Sequence, residues 1–354
     1  MINRRITRQI KVRDITIGGG APIVIQSMTN TDIGDTQATL AQIGRLTDAG
    51  CRIVRVAIPD EEAARAFKKI RRQTTVPLVA DIHFQYRLAI AAIEAGADKV
   101  RINPGNIGSE ERVKKVVDAA KSARIPIRIG VNSGSLEKPL LEKYGSPAPR
   151  ALLESSLGCI ALLKNLGFED IIVSIKASDV VTTIEACRLL ADHTDVPQHI
   201  GITESGTVRS GSIRSSVGIG ALLAEGIGDT IRVSLAGDPV EEIHAAKEIL
   251  KALGLAAGPV VIACPTCGRT QIDVAKLAAR VERMVVHITA PIRIAVMGCV
   301  VNGPGEARDA DIGIAGGRKE GLLFVKGQAV KKVKEKEILP TLKKYIEEMT
   351  KEKI

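Results

Sequence analysis

The chain has 354 residues, 45% of them hydrophobic, and a formal net charge of +10. Such a length and apolar content can bury a large core in one big domain plus a smaller one, and no run approaches the roughly 18 consecutive apolar residues that a membrane span needs. The positive charge raises nucleic-acid binding, but with no Trp, three Tyr and four Phe there is little to stack on bases, so no nucleic acid is expected and small anionic substrates are the better partners.

Residues 1–5 are basic and carry no apolar signal-peptide core. They pass into alternation at Ile10, Val12, Ile15 and Ile17, which predicts strand. Without a secretory signal, and with cysteines that look unpaired, the expected location is the reducing cytoplasm. Three glycines at 18–20 precede the first barrel-type strand and open no helix, so they read as a turn more than as a phosphate loop. From residue 22 to about 251 one unit recurs: a β-branched run, a polar strand end, then an amphipathic helix often closed by Gly. The pattern predicts strands over 23–28, 52–57, 77–82, 99–103, 126–131, 170–175, 197–203 and 230–235. Helices are predicted between them, among others over 36–49, 87–95, 110–123, 151–166 and 240–253. Eight units in about 230 residues predict an α/β fold of the (β/α)8 TIM-barrel type over 1–253, with an N-terminal strand extension.

Barrel chemistry occurs at the C-terminal ends of the strands. Those ends carry Arg55, Asp81 with His83, Arg101 with Asn103, Arg128 with Asn132, Lys176, Glu204, and Arg232 with Ser234. Any one of them alone reads as a rim salt bridge; contributions from seven of eight strands do not. Arg55, Arg101, Arg128 and Arg232, converging without matching carboxylates, predict a phosphate or diphosphate ligand. Asp81 and Glu204 are candidate proton donors or bases, with Glu204 preferred, and His83 shares that role or orients a phosphate oxygen. Lys176 also permits a rival reading, the Schiff-base lysine of a class I aldolase. Cys51, Cys159 and Cys187 each lie alone in an apolar pattern and are expected in the core.

After a linker at 254–258 a second, small α/β domain is predicted over 259–354, with strands at 260–263, 292–297, 311–315 and 322–325 and helices at 272–284 and 336–348. The Lys-rich stretch 326–353, interleaved with Glu, predicts a solvated helical face, with a dock for an acidic protein as the alternative. Two strand-end loops hold three of the chain's six cysteines: Cys264 and Cys267 as a Cys-x-x-Cys turn, and Cys299 ahead of a Gly303-Pro304-Gly305 run that bends Glu306 back. Three sulfurs and one carboxylate fit poorly the four Cys or His ligands of structural zinc. They suit an iron–sulfur cluster whose oxygen-ligated iron is exchangeable and can take substrate. Zinc and a thiol–disulfide pair remain open on spacing alone.

Five stretches share one resemblance. They are Cys264-Pro265-Thr266-Cys267-Gly268-Arg269, Met297-Gly298-Cys299-Val300-Val301-Asn302-Gly303-Pro304-Gly305-Glu306, Val100-Arg101-Ile102-Asn103-Pro104-Gly105-Asn106, Ile129-Gly130-Val131-Asn132-Ser133-Gly134-Ser135 and Gly201-Ile202-Thr203-Glu204. Together they resemble the hydroxymethylbutenyl diphosphate synthase family of the non-mevalonate isoprenoid pathway, over nearly the whole chain and in its short bacterial form. The resemblance implies reductive opening and dehydration of 2-C-methyl-D-erythritol 2,4-cyclodiphosphate to 4-hydroxy-3-methylbut-2-enyl diphosphate, with two electrons and a [4Fe-4S] cluster. It implies Cys264, Cys267, Cys299 and Glu306 as cluster ligands with Asn302 beside the cluster. It also implies Arg55, Arg101, Asn103, Arg128, Asn132, Lys176, Arg232 and Ser234 as diphosphate contacts, and Asp81, His83 and Glu204 near the reacting carbons.

No flavin or nicotinamide fingerprint is present, so a separate electron carrier, ferredoxin or flavodoxin, is expected. The competing readings are the aldolase with a structural zinc domain and a non-catalytic cluster protein that binds nucleic acid. Chain direction adds one expectation. The last barrel helix runs about 21 Å back to the bottom of the barrel, and five linker residues reach at most about 17 Å. A homodimer in which each cluster domain closes its partner's barrel, giving composite inter-chain sites, resolves this.

Overall fold

A computed structural model describes residues 2–299, 305 and 308–354. The chain divides by contacts into Met1–Leu255 and Ala256–Ile354, and no helix among the described residues is long and apolar enough to cross a membrane.

The first unit opens with an antiparallel hairpin, β1 (Ile10–Val12) and β2 (Ile15–Ile17), in which Ile10 pairs with Ile17 and Val12 with Ile15. Eight parallel strands follow: β3 (Val24–Met28), β4 (Ile53–Ala57), β5 (Leu78–Asp81), β6 (Lys99–Ile102), β7 (Ile127–Asn132), β8 (Ile171–Lys176), β9 (His199–Ile200) and β10 (Thr230–Ile231). Their order is β8-β7-β6-β5-β4-β3-β10-β9, and a parallel bridge between Val173 and Gln198 joins the two ends into a barrel. Helices α1 (Thr36–Asp48), α2 (Glu61–Arg71), α3 (Tyr86–Glu94), α4 (Pro104–Ile107), α5 (Glu110–Ala123), α6 (Lys138–Tyr144), α7 (Pro149–Asn165), α8 (Val180–His193), α9 (Val208–Ala224) and α10 (Pro239–Ala252) connect them. Asp35, Asp60, Asp179 and Asp238 start α1, α2, α8 and α10 by accepting a first-turn backbone N–H, so these helices leave the strand tips at defined points. The short α4 and α6, both in loops above the strands, lie outside the predicted pattern.

Alternation along the strands sorts the barrel. Val54, Val56, Leu78, Ala80, Val100, Ile102, Ile127, Ile129, Ile171 and Val173 join the core beneath the helices. The intervening residues face inward, and at the start of the strands they are apolar. There Val24, Ile53, Val79 and Ile172 pack against Ile10, Val12, Ile15 and Ile17, so the hairpin plugs the lower end with hydrocarbon. Above that plug the inward positions are polar: Gln26, Lys99, Arg101, Arg128, Ser174, Lys176, His199 and Thr230 are all buried.

The second unit is a five-stranded sheet in the order β11 (Val260–Ala263), β12 (Arg293–Met297), β13 (Ile312–Gly317), β14 (Glu320–Val325), β15 (Gln328–Lys334). Strands β11, β12 and β13 are parallel, and β13, β14 and β15 antiparallel. Helices α11 (Val274–Met284) and α12 (Ile338–Thr350) bury Val281, Leu342 and Ile346 against Ile294, Ile312 and Leu323. The expected helical face over 326–353 is corrected in its first part: Gln328–Lys334 is an edge strand, and helix begins only with a 3-10 turn at Glu335–Glu337 that leads into α12. An exposed edge rich in Lys resists pairing with another chain, which is why a strand here reads as a charged tail.

Candidate active site

The barrel mouth is built around Asp81, at the tip of β5 and 2% exposed. Arg101 Nη1 donates to its Oδ1 at 3.1 Å, Arg55 Nε stands 3.7 Å from Oδ2, and His83 Nε2 stands 3.5 Å from the same oxygen. Burial pushes the Asp81 carboxyl up, but Arg55, the bond to His83, Arg101 and Arg128 together outweigh it and hold the group well below the usual carboxylate range. Asp81 is thus an ionised anchor that aims two guanidiniums and one imidazole. Burial brings Arg55 down to about 10, with Asp81 pulling the other way and Arg232 and Arg101 adding to the fall.

Arg232 is anchored separately. Its Nε and Nη2 meet Glu242 Oε2 and Oε1 at 3.0 and 2.9 Å, a bidentate pair. Glu242 also accepts from Ser27 Oγ at 2.6 Å and from Leu235 N at 3.1 Å. The expectation of arginines without matching carboxylates is therefore corrected: Asp81 holds Arg55 and Arg101, and Glu242 holds Arg232. Glu242 lies on the apolar face of α10 with Ile243, Ala246 and Ile249. A charge at a core-facing helical position was its signal in the sequence.

The remaining cations have no such anchor. Arg128 is 1% exposed, and its Nε and Nη1 have no hydrogen-bond partner. Burial, and then Arg55 and Arg101, drive its guanidinium well below the usual value. Lys176 is depressed the same way, by burial first and then by Arg128, Arg232 and Arg55. Lys99, two residues before Arg101 on the same strand face, is fully buried with Nζ 3.4 Å from Gln26 Oε1, and it was missed in the sequence as the first residue of its strand. Two glycines leave room for these side chains: a Cβ on Gly130 would stand 2.3 Å from Arg101 Nε, and one on Gly201 2.8 Å from Lys176 Nζ.

Arg101, His83, Asn132 and Glu204 line one cleft of about 490 Å³ with Phe84, Ser133, Ser135 and Thr203. The Asn132 amide is oriented to accept from Arg101 Nη2 at 3.2 Å and to donate to Val131 O. Glu204 is exposed and holds a left-handed φ of 51°, backbone strain of the kind kept at functional sites. Asn103 caps α4, its Oδ1 accepting from Gly105 N at 3.1 Å. Ser234 offers its carbonyl to the Ser205 hydroxyl.

In the second unit Cys264 follows β11 and Cys299 follows the adjacent parallel β12, so both leave the same end of the sheet. Gly298 joins the two loops, its N–H donating to Cys264 Sγ at 3.1 Å and its carbonyl accepting from Gln271 N at 2.8 Å. Cys267 is exposed, and its N–H donates to Thr270 Oγ1 at 3.0 Å. Among the described residues no three Cys, His, Asp or Glu side chains gather into a metal site; Asn302 and Glu306 lie outside the described residues. The donor set still fits an iron–sulfur cluster, since an N–H aimed at sulfur is the bond that stabilises a ligating thiolate. By contrast Cys51, Cys159 and Cys187 are buried thiols, each pushed by burial up to about 12.

Two family models match this chain, the GcpE TIM-barrel domain over residues 7–247 and the GcpE protein C-terminal domain over 260–348. The chain belongs to the GcpE family. Curated relatives named 4-hydroxy-3-methylbut-2-en-1-yl diphosphate synthase (flavodoxin) include that of Caldanaerobacter subterraneus, 60% identical over 99% of both chains. Another, from Natranaerobius thermophilus, is 55% identical over 98% of both. Among solved structures, dihydropteroate synthase from Stenotrophomonas maltophilia is 16% identical with a TM-score of 0.50, covering 70% of this chain and 98% of that one, a likeness of fold alone. This GcpE chain is an enzyme of the family's iron–sulfur oxidoreductase class, working in the non-mevalonate route to isoprenoids, and the aldolase reading of Lys176 is set aside.

Proposed function

We propose that the barrel unit, 1–253, binds 2-C-methyl-D-erythritol 2,4-cyclodiphosphate, and that the unit at 259–354 holds a [4Fe-4S] cluster through Cys264, Cys267, Cys299 and Glu306, with Asn302 beside it. The observation that carries the substrate reading is Arg128, a buried guanidinium with two unpartnered nitrogens among further cations. Only an anion removes that cost, and a diphosphate has the oxygens to take Arg55, Arg101, Arg128, Arg232 and Lys176 together. Asn103, Asn132 and Ser234 complete the diphosphate contacts. Asp81 and Glu242 keep the guanidiniums aimed before substrate arrives, so little ordering is left to be done on binding.

The cluster, when bound, supplies two electrons in single steps and a Lewis-acidic iron for a substrate oxygen. The chain's own residues handle the proton. Glu204, exposed at the rim of the cleft, delivers it to the departing oxygen, and His83 orients the substrate beside Asp81. Two electrons and the protons that balance them enter, the ring C–O bond breaks, and one water leaves. The electrons come from a separate carrier, flavodoxin as in the names of the relatives, or ferredoxin.

The enzyme works in the cytoplasm as a homodimer. The 14-residue α10 supports this, because it returns the chain to the plugged end of the barrel before the short linker begins. The test is anaerobic purification with iron and sulfide analysis, followed by turnover of the cyclodiphosphate with a reduced viologen dye. Four irons per chain and formation of the open diphosphate are expected. A colourless zinc protein, or a loaded protein that leaves the cyclodiphosphate unchanged, would contradict the reading.

A further inference from the structure

We propose that the cysteine-bearing end of the C-terminal sheet carries a cationic docking surface for an acidic, flavin-carrying electron donor, an inference that rests on a separate protein supplying the electrons. Sheet topology gathers the charges. Strand β13 is parallel to β12, so its exit, the exposed Arg318–Lys319 turn, lies at the same end as Cys299. Strand β14 turns back, and β15 returns with Lys334 paired to Glu320, which brings the exposed Lys334 and Lys336 to that end as well. Glu335 N fastens the two corners by donating to Lys319 O at 3.1 Å. On the other side, exposed Arg269 follows Cys267 in the loop tied to Gly298, and a Cβ on Gly316 would stand 2.9 Å from Gly298 O, so β13 abuts the cysteine loops directly.

Arg269, Arg318, Lys319, Lys334 and Lys336 make no ion pair among the described residues. Among the described residues the carboxylates at this end are Glu335 and Glu337, both exposed, Asp273, exposed and capping α11 by accepting from Lys276 N at 3.0 Å, and Glu320, which is taken by Lys332 at 2.7 Å. The excess is cationic and serves no contact in the fold. Three strand spacings, about 14 Å, separate β12 from β15, so a carrier seated on the lysine side stays close to the cysteine loops while the β11 edge is left open. Rim charges of this kind raise encounter rates and give transient complexes, which suits a partner that must deliver one electron, leave, and return with the second. The Lys-rich run, which forms no continuous helix, thereby has a use.

The test is steady-state turnover by the cluster-loaded enzyme, driven either by reduced flavodoxin or by a reduced viologen dye. For the triple variant Arg318→Glu, Lys319→Glu, Lys334→Glu we expect the KM for flavodoxin to rise about tenfold at low salt, with the dye-driven rate unchanged. Lys68→Glu with Lys69→Glu, on the exposed side of α2, should change neither. Added salt should weaken the wild type toward the variant. An unchanged KM for flavodoxin in the triple variant overturns the proposal. A wild type that turns over with dye but not with flavodoxin overturns both the carrier and its dock. A wild type inactive with dye fails earlier, at the reaction itself.

Discussion

Arg128 is costly to the empty barrel. A buried cation with two donors unpaired destabilises a fold by several kcal/mol, and a well-packed apolar residue of similar volume in such a place is neutral or stabilising by about 1–4 kcal/mol. Arg128→Met should therefore raise the denaturation midpoint of the substrate-free protein while weakening cyclodiphosphate binding by about 1.5–3 kcal/mol, read by calorimetry. Lower stability with unchanged affinity would make Arg128 a structural residue. Asp81 behaves in the opposite sense. Its folded value is held below its unfolded one, so its ionised form contributes stability that is fully present above about pH 4 and is lost as pH falls. Asp81→Asn should be less stable than wild type at pH 7 by about 3–5 kcal/mol, and urea titrations should show the gap beginning to narrow as pH falls below about 4; a constant gap would mean that Asp81 is not anchoring charge. The arginines were legible in the sequence because each alternates with β-branched neighbours in a strand run, although Arg55 and Arg128 stand inside β4 and β7 and not at their ends. Glu242 was not, because its charge belongs to a helix and its partner, Arg232, is ten residues away on another element.

Among elements, the hairpin of β1 and β2 decides which end of the barrel is open. With Ile17 fully buried against the lower strand ends, Ile17→Ala should cost about 2–5 kcal/mol in unfolding free energy and leave substrate affinity unaltered, since the cationic layer is at the other end. A loss under about 1 kcal/mol would show that the plug is not part of the core. The eight strands and the main helices were legible from period and caps, with ends within two or three residues except at β10, which stops at Ile231 where residue 235 was expected. Strands β9 and β10 are only two residues long, although Arg232 N still donates to Ile200 O at 3.1 Å just past them. Strand β15 was hidden by its lysines, and α4 and α6 by lengths of four and seven residues, too short for a helical period to declare itself.

For the whole molecule the sequence placed two chemistries in one chain, and the proposal rests on different support for each. The mouth is a set of side-chain contacts around Asp81 and Glu242, whereas the proposed cysteine ligand set rests on loop topology, the Gly298 bond to Cys264 Sγ, and family membership. What joins them in the proposal is the expectation from chain direction that five linker residues do not climb back beside the last barrel helix. The central claim is that each catalytic centre takes its barrel from one chain and its cluster from another. The most direct measurement mixes Glu204→Gln protein with Cys299→Ser protein, each inactive alone, under conditions that exchange subunits. In a mixed dimer with shared sites, one centre inherits both lesions and the other inherits neither, so turnover should return to about one quarter of wild type at equal mixing, where half of the dimers are mixed and each holds one intact centre. Full exchange, shown by mass-labelled subunits, with no return of activity would mean that each centre lies within a single chain.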